Sequence, residues 1–306
     1  METPLNFLTT ETVNDKTKQI DRCSTKEILK IINSEDKLVP EAVDKELPNI
    51  AEAVDKIVPR LKAGGRLFYI GAGTSGRIGV LDASECPPTF GTDPEMIQGI
   101  IAGGDVAIRS AVEGAEDSEE GGRLAVQNEK IGSKDAIVGI TASGRTPYVL
   151  AAIREAHAMG ALTVGLSNNK GSELGKVCDI EICPVVGPEV ITGSTRMKAG
   201  TSAKLVLNMI TTTSMIKLGK VYGNLMVDVQ ANNKKLCERT VRIVRLVTSV
   251  SDEEAREALQ KASLRPKVAI VMILGNMDCK SAERILDEND GFISRALETA
   301  GKSKIS

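Results

Sequence analysis

The chain has 306 residues, 42% of them hydrophobic and 2% aromatic, with 39 Lys and Arg against 41 Asp and Glu for a formal net charge of −2. That length and apolar content suit one large or two modest folded domains, and the near-neutral charge with so few aromatic rings excludes a basic, base-stacking nucleic-acid surface. No stretch holds the ~18 uninterrupted apolar residues of a membrane span, the start METPLNFLTTETVNDKTKQ lacks a signal-peptide pattern, and six scattered cysteines have one histidine, His157, beside them, so the expectation is a cytosolic protein with reduced thiols, no zinc site and no membrane partner.

Residues 1–55 read as an N-terminal helical segment. In STKEILKIINSED, Ser24, Thr25 and Glu27 precede apolar residues at helical spacing, the pattern of a capped helix. PNIAEAVDKIVPRLKAGG continues as a second helix stopping at a glycine pair. Short apolar, β-branched runs then predict strands at 66–70 (RLFYI), 97–101 (IQGII), 136–140 (AIVGI), 162–166 (LTVGL) and 179–183 (DIEIC). Helical segments lie between them, notably 147–159, where Pro147 suits a first turn. The fold class is therefore α/β, a mostly parallel sheet covered by helices on both faces.

After the last strand, GSTRMKAGTSAKLVLNMITTTSMIKLGK predicts a long helix ending near Gly219, buried on the sheet or on a partner subunit. Beyond Asn232 strand alternation stops, and the pattern predicts a second domain, 230–306, of three or four short helices.

Two loops at the carboxyl ends of predicted strands carry the first chemical signal. GAGTSGR brings Gly71, Gly73, Thr74, Ser75, Gly76 and Arg77 to a helix start, and ASGRT brings Ser143, Gly144, Arg145 and Thr146 to another. In open α/β sheets ligands gather there, because unpaired helix N–H groups favour anions. Glycine permits close backbone approach and hydroxyls donate to phosphate oxygens, so a phosphate monoester fits. Glycine and serine also make plain turns. Gly71, Gly73 and Gly76 fit GxGxxG, yet no clear acidic residue ends a second strand ~20 residues on, and no GxxxxGK[ST] loop is present. Ser194, Thr195, Arg196 and Lys198 form a third hydroxyl-and-cation cluster at a helix start.

Two carboxylates stand out. Glu85 lies in DASECPPTFG, where Pro87 and Pro88 are expected to stop the helix and fix the side chain. Glu116 lies in AVEGAEDSEEGG beside Glu113, Asp117, Glu119 and Glu120, a kind of cluster that is more often solvated or helix-capping than catalytic. His157 has no Asp or Ser at a telling spacing and reads as a surface or structural residue. Cys86 has no histidine nearby in sequence to activate it. Any acid–base work falls to carboxylates.

The paired loops GAGTSGR and SGRT resemble the sugar isomerase domain, a flavodoxin-like fold that binds phosphosugars. The longer stretches LTTETVN, STKEILKIINSED, IGAGTSGRIGVLDASECPPTFG, IAGG, EGAEDS and TGSTRMKAGTSAKLVLNMI are similar to the N-acetylmuramic acid 6-phosphate etherase family, from about residue 7 to the C-terminal helices. The resemblance implies a sugar isomerase domain over 56–222 and a C-terminal domain similar to ubiquitin-associated modules. It implies a lyase that cleaves the D-lactyl ether to N-acetylglucosamine 6-phosphate and D-lactate without metal or nucleotide cofactor, with Glu85 and Glu116 as its acid–base pair. It also implies a homodimer with sites near the subunit interface. The expected substrate contacts are Gly73, Thr74, Ser75, Ser143, Gly144, Arg145, Thr146, Ser194 and Thr195. A phosphosugar aldose–ketose isomerase and a non-catalytic phosphosugar sensor are the alternatives.

Overall fold

The computed structural model describes residues 8–229 and 234–301 and divides into two compact units. One comprises the described residues through Ser84 together with Glu95–Thr211; the other comprises Glu85–Pro94 and the described residues from Thr212 onward. The expected boundary at residue 230 falls among residues 230–233, outside the described ones.

The first unit begins with helices α1 (Thr25–Asp36), α2 (Leu38–Asp44) and α3 (Leu47–Lys62). The predicted capping box is present: Ser24 N and Oγ donate to Glu27 Oε2 at 2.8 and 2.6 Å. α3 stops before Gly64, whose φ of +79° is open to glycine at little cost. Strand β1 (Leu67–Gly71) leads into α4 (Gly73–Phe90), and β2 (Ile97–Ile101) leads into the short α5 (Gly104–Arg109). α6 (Glu119–Asn128), β3 (Ala136–Ile140), α7 (Pro147–Ala158), β4 (Leu162–Leu166) and β5 (Ile180–Ile182) complete the alternation.

All five strands stand where the apolar runs predict them, shifted by at most one residue, in the parallel order β2-β1-β3-β4-β5. β1, β3 and β4 are buried along their whole length, which is why they read as continuous apolar runs rather than alternating ones. Glycines set how closely α4 lies on this sheet. A Cβ at Gly99 of β2 would come 2.5 Å from Val80 Cα, and one at Gly79 would come 2.9 Å from Tyr69 Cβ.

Pro87 and Pro88 do not stop α4, as their sequence suggests they should; the helix runs on to Phe90. Both prolines fall in its last turn, and Gly91 N closes the end onto Pro87 O at 2.9 Å. Glu85 is consequently an exposed residue within a helix rather than one held at a helix stop.

The division between units falls within α4 and within α8 (Lys198–Lys217). α8 is buried along one face, through Ser202, Val206, Leu207, Ile210, Ser214 and Met215, while Ile216 is left exposed. In the second unit a two-residue hairpin, β6 (Val221–Tyr222) and β7 (Leu225–Met226), turns at Gly223 with φ +56° and was not legible as strand. Then follow α9 (Lys234–Thr248), α10 (Asp252–Lys261), α11 (Pro266–Gly275), α12 (Cys279–Asp287) and α13 (Ile293–Thr299). That is one helix more than the three or four expected, the extra one being α13, whose two buried turns at Ile293, Ala296 and Leu297 are too short for a periodic signal. Val244, Leu259, Ile270, Leu286 and Ile293 form the core of this bundle.

Candidate active site

The order 2-1-3-4-5 reverses direction between β1 and β3, and the crevice at the carboxyl ends of those strands is where such sheets take ligands. Gly71 and Ile140 are register partners on these two strands, so the loops that follow them start side by side.

In the first loop the chain turns at Gly73 with φ +53° straight into α4. The turn is tight: a Cβ at Gly76 would lie 2.7 Å from Gly71 O and 2.6 Å from Ile101 Cγ1. Thr74 and Ser75 are half-buried in the first helical turn, among N–H groups that favour an anion. Arg77 is turned to structure instead, its Nε donating to Ile108 O at 3.0 Å.

In the second loop the hydroxyls are joined to each other. Thr141 Oγ1 lies 2.8 Å from Thr146 Oγ1 and 3.2 Å from Ser143 Oγ, and Arg145 N donates to Ser143 Oγ at 3.3 Å. Gly144 has φ +72°, and a Cβ there would come 2.3 Å from Ser172 Cβ, so only glycine fits. Thr146 is the residue before α7, with Pro147 at the first helical position. Sequence reading missed Thr141, the buried hydroxyl that ties this cluster together. Its signal was a threonine closing an otherwise apolar strand three residues before the glycine.

The third cluster meets the first at Gly200, where a Cβ would lie 3.4 Å from Thr74 Cγ2 and 3.6 Å from Thr195 O. One of its two cations, Lys198, is taken up by a buried carboxylate. Lys198 is fully buried, and its Nζ lies 2.8 Å from Glu35 Oε2, while Lys16 reaches Glu35 Oε1 at 3.0 Å and Asn14 Nδ2 donates to Oε2 at 2.9 Å. Burial opposes the charge on Glu35, but these partners outweigh it and hold its carboxyl at about 2. The start of α8 is occupied from within as well: Lys198 N and Ala199 N donate to the two oxygens of the buried Glu189 at 3.0 and 2.9 Å. Burial pushes the Glu189 carboxyl up against the pull of those bonds. Ser194 and Thr195, in the turn before α8, stay half-buried.

Glu116 is exposed in a single 3₁₀ turn, Ala115–Asp117, that packs against α7, and Ala115 joins the apolar cluster containing Tyr148 and Leu150 near the start of that helix. Glu119, three residues on, lines a cavity of about 860 Å³ that also takes in Ser143 and Arg145. Gly73, Thr74, Ser75, Thr146, Ser194 and Thr195 are outside its lining. The cavity extends over the ends of β4 and β5 to Asn169, Ser172 and Cys183. Asn169 binds the N-terminal LTTETVN stretch to the second loop, its Nδ2 donating to Ala142 O at 2.9 Å and Thr10 Oγ1 at 3.1 Å.

Other nucleophilic or acidic candidates are withdrawn by their surroundings. Burial pushes the Tyr148 phenol up to about 12 and the Cys178 and Cys183 thiols to about 11. Cys86 is 2% exposed. His157 lies exposed at the far end of α7, its Nδ1 3.5 Å from Asp179 Oδ1.

Comparison with known proteins adds an independent line. Residues 49–157 match the glucokinase regulatory protein N-terminal SIS domain, residues 114–213 the SIS domain, and residues 223–268 the C-terminal lid domain of glucokinase regulatory protein. The chain is 58% identical over 302 residues to the N-acetylmuramic acid 6-phosphate etherase of Clostridium acetobutylicum, covering 99% of this chain and 100% of that one. It is 54% identical over 294 residues to the same enzyme of Escherichia coli, strain SMS-3-5 / SECEC, covering 96% and 99%. Among solved structures, a phosphoheptose isomerase from Francisella tularensis aligns with a TM-score of 0.46 at 22% identity, over 62% of this chain and 99% of that chain.

Proposed function

The chain belongs to the N-acetylmuramic acid 6-phosphate etherase family, and from that premise we propose how its residues divide the work. It is a lyase that releases D-lactate from N-acetylmuramic acid 6-phosphate, leaving N-acetylglucosamine 6-phosphate, in the recycling of cell-wall amino sugars. A phosphorylated sugar is kept inside the cell, so the reaction belongs in the cytoplasm. The observation that supports the siting is the register pairing of Gly71 with Ile140, which sets two hydroxyl-bearing, helix-starting loops against one another. Thr74 and Ser75 from one loop and Ser143 and Thr146 from the other hold the phosphate, with Gly73 and Gly144 allowing close approach. Arg145 adds charge, and Ser194 and Thr195 contribute hydroxyls from the turn before α8.

Ether oxygens leave poorly, so the reaction needs an acidified neighbour. Opening the sugar ring to the aldehyde makes the proton at carbon 2 acidic. Glu116 takes that proton, and Glu85 protonates the lactate oxygen as its bond to carbon 3 breaks. The unsaturated aldehyde then accepts water at carbon 3, with the two carboxyl groups exchanging roles, and lactate is replaced by hydroxide overall.

The family reading carries with it a homodimer, in which Glu85 serves the loops of the other copy. Leu81, one turn before Glu85 on the same exposed stripe of α4, gives the second copy an apolar contact.

Mixing inactive Glu85→Gln and Glu116→Gln proteins, with subunit exchange, tests the reaction and its siting together. Lactate release from N-acetylmuramic acid 6-phosphate is expected to return to about a quarter of the wild-type rate, since half the dimers are mixed and each has one intact site. No recovery after demonstrated exchange would put both glutamates in one chain's site. Wild-type protein that binds the phosphosugar without releasing lactate would instead favour a sensor, the role suggested by the regulatory-protein domains it matches.

A further inference from the structure

We propose that Lys45, Arg154 and Lys170, on the rim of the cavity beside Ser143 and Arg145, recognise the carboxylate of the substrate's lactyl group; this rests on the etherase reading above. Substrate and sugar product share the phosphate, the ring and the acetamido group, and differ only in that lactyl chain. A site built on phosphate contacts alone binds both alike, so favouring the substrate requires a second contact the product cannot make.

The cavity has the chemistry for it. Its volume of about 860 Å³ leaves room beyond the phosphate loop. Its carboxylates are already answered: Glu46 Oε2 accepts from Cys183 N at 3.0 Å and Asn49 Nδ2 at 2.8 Å, Glu119 pairs with Arg123 at 3.4 Å, and Glu173 pairs with Lys176 at 2.8 Å. Lys45, Arg154 and Lys170, by contrast, have no ion-pair partner among the described residues. Lys176 and Arg123 stand outside the lining, which itself carries four cations, Lys45, Arg145, Arg154 and Lys170, against three carboxylates.

Position points the same way. Pro147, Leu150 and Arg154 lie at i, i+3 and i+7 on α7, so one face of the helix that starts at the phosphate loop presents an apolar wall and then a guanidinium. Leu150 and Ala42 are buried apolar surface suited to the lactyl methyl, and the planar fork of Arg154 suits a carboxylate. Glu173 lies near enough to Arg154 to feel its charge, and Lys176 holds it in place.

The test compares Arg154→Gln and the triple variant Lys45→Gln/Arg154→Gln/Lys170→Gln with wild type. kcat/KM for lactate release is read against the Kd for N-acetylglucosamine 6-phosphate. The triple variant is expected to lose about tenfold or more in kcat/KM, chiefly through KM, with the single variant partway there. Product affinity stays within about twofold, and the loss shrinks as salt is added. Arg154→Lys recovers part of it. Equal weakening of product binding would assign these cations to the phosphate and overturn the proposal, as would an unchanged kcat/KM in the triple variant. Failure of wild-type protein to release lactate would sink the etherase reading instead.

Discussion

Glutamine at position 116 is expected to slow lactate release by about 10²–10⁴-fold, the range for loss of a positioned acid or base, while binding of N-acetylglucosamine 6-phosphate stays near its wild-type value. Glutamine keeps the shape and one acceptor oxygen of the side chain but cannot take up a proton from carbon 2. Because Glu116 is exposed in a short turn and forms no ion pair among the described residues, the loss belongs to chemistry rather than folding. Glu85→Gln should behave alike, being solvent-exposed on α4. The two differ in what they withhold. With Glu116 intact, exchange of the carbon 2 proton with solvent deuterium should persist in Glu85→Gln and vanish in Glu116→Gln. Proton exchange surviving in Glu116→Gln would reverse the assigned roles, and wild-type lactate release by either variant would remove that glutamate from the mechanism.

Lys198→Met is expected to destabilise the folded protein by about 3–5 kcal/mol, the cost of leaving one member of a buried ion pair without the other. Glu35 is 3% exposed and would keep only Asn14 and the largely exposed Lys16. Removing both charges, in Lys198→Met with Glu35→Gln, should restore much of the loss, because the desolvated charge goes as well. Urea unfolding at pH 7 reads these differences. The same pair predicts a pH dependence. Glu35 is lowered from 4.5 to about 2 in the folded protein, so its contribution is complete above 4.5 and is lost as pH falls from there toward 2. Glu35→Gln should flatten that part of the wild-type acid curve; an unaltered curve would mean that other carboxylates carry it.

Strands β1, β3 and β4 were legible because a parallel sheet buried on both faces leaves unbroken apolar runs, while the edge strands β2 and β5, half-buried at Gln98 and Glu181, were read from shorter β-branched runs. The two candidate loops were legible because Gly73 and Gly144 have backbone angles that favour glycine, and the hydroxyls beside them stand at helix starts. What misled was local chemistry read without its surroundings. Pro87 and Pro88 look like a helix stop, yet α4 continues through them to Phe90. Lys198 belongs to a hydroxyl-and-cation cluster in the sequence, yet its partner Glu35 lies 163 residues away, a pairing no spacing rule reveals. Glu189, nine residues before Lys198, fills the start of α8. Thr141 shows the converse: it follows the strand predicted to end at residue 140 and drew no notice, and only the folded loop reveals it bridging Ser143 and Thr146.

The carbon–oxygen bond to lactate is expected to break on the sugar side, by elimination and rehydration. Incubating the purified protein with N-acetylmuramic acid 6-phosphate in oxygen-18 water and weighing both products tests it directly. One heavy oxygen on carbon 3 of N-acetylglucosamine 6-phosphate, after correction for exchange at the aldehyde carbon, with its former ether oxygen carried away unlabelled on the lactate, is the predicted result. Heavy oxygen on the lactate hydroxyl, with none at carbon 3, would mean cleavage on the lactate side and would contradict the account.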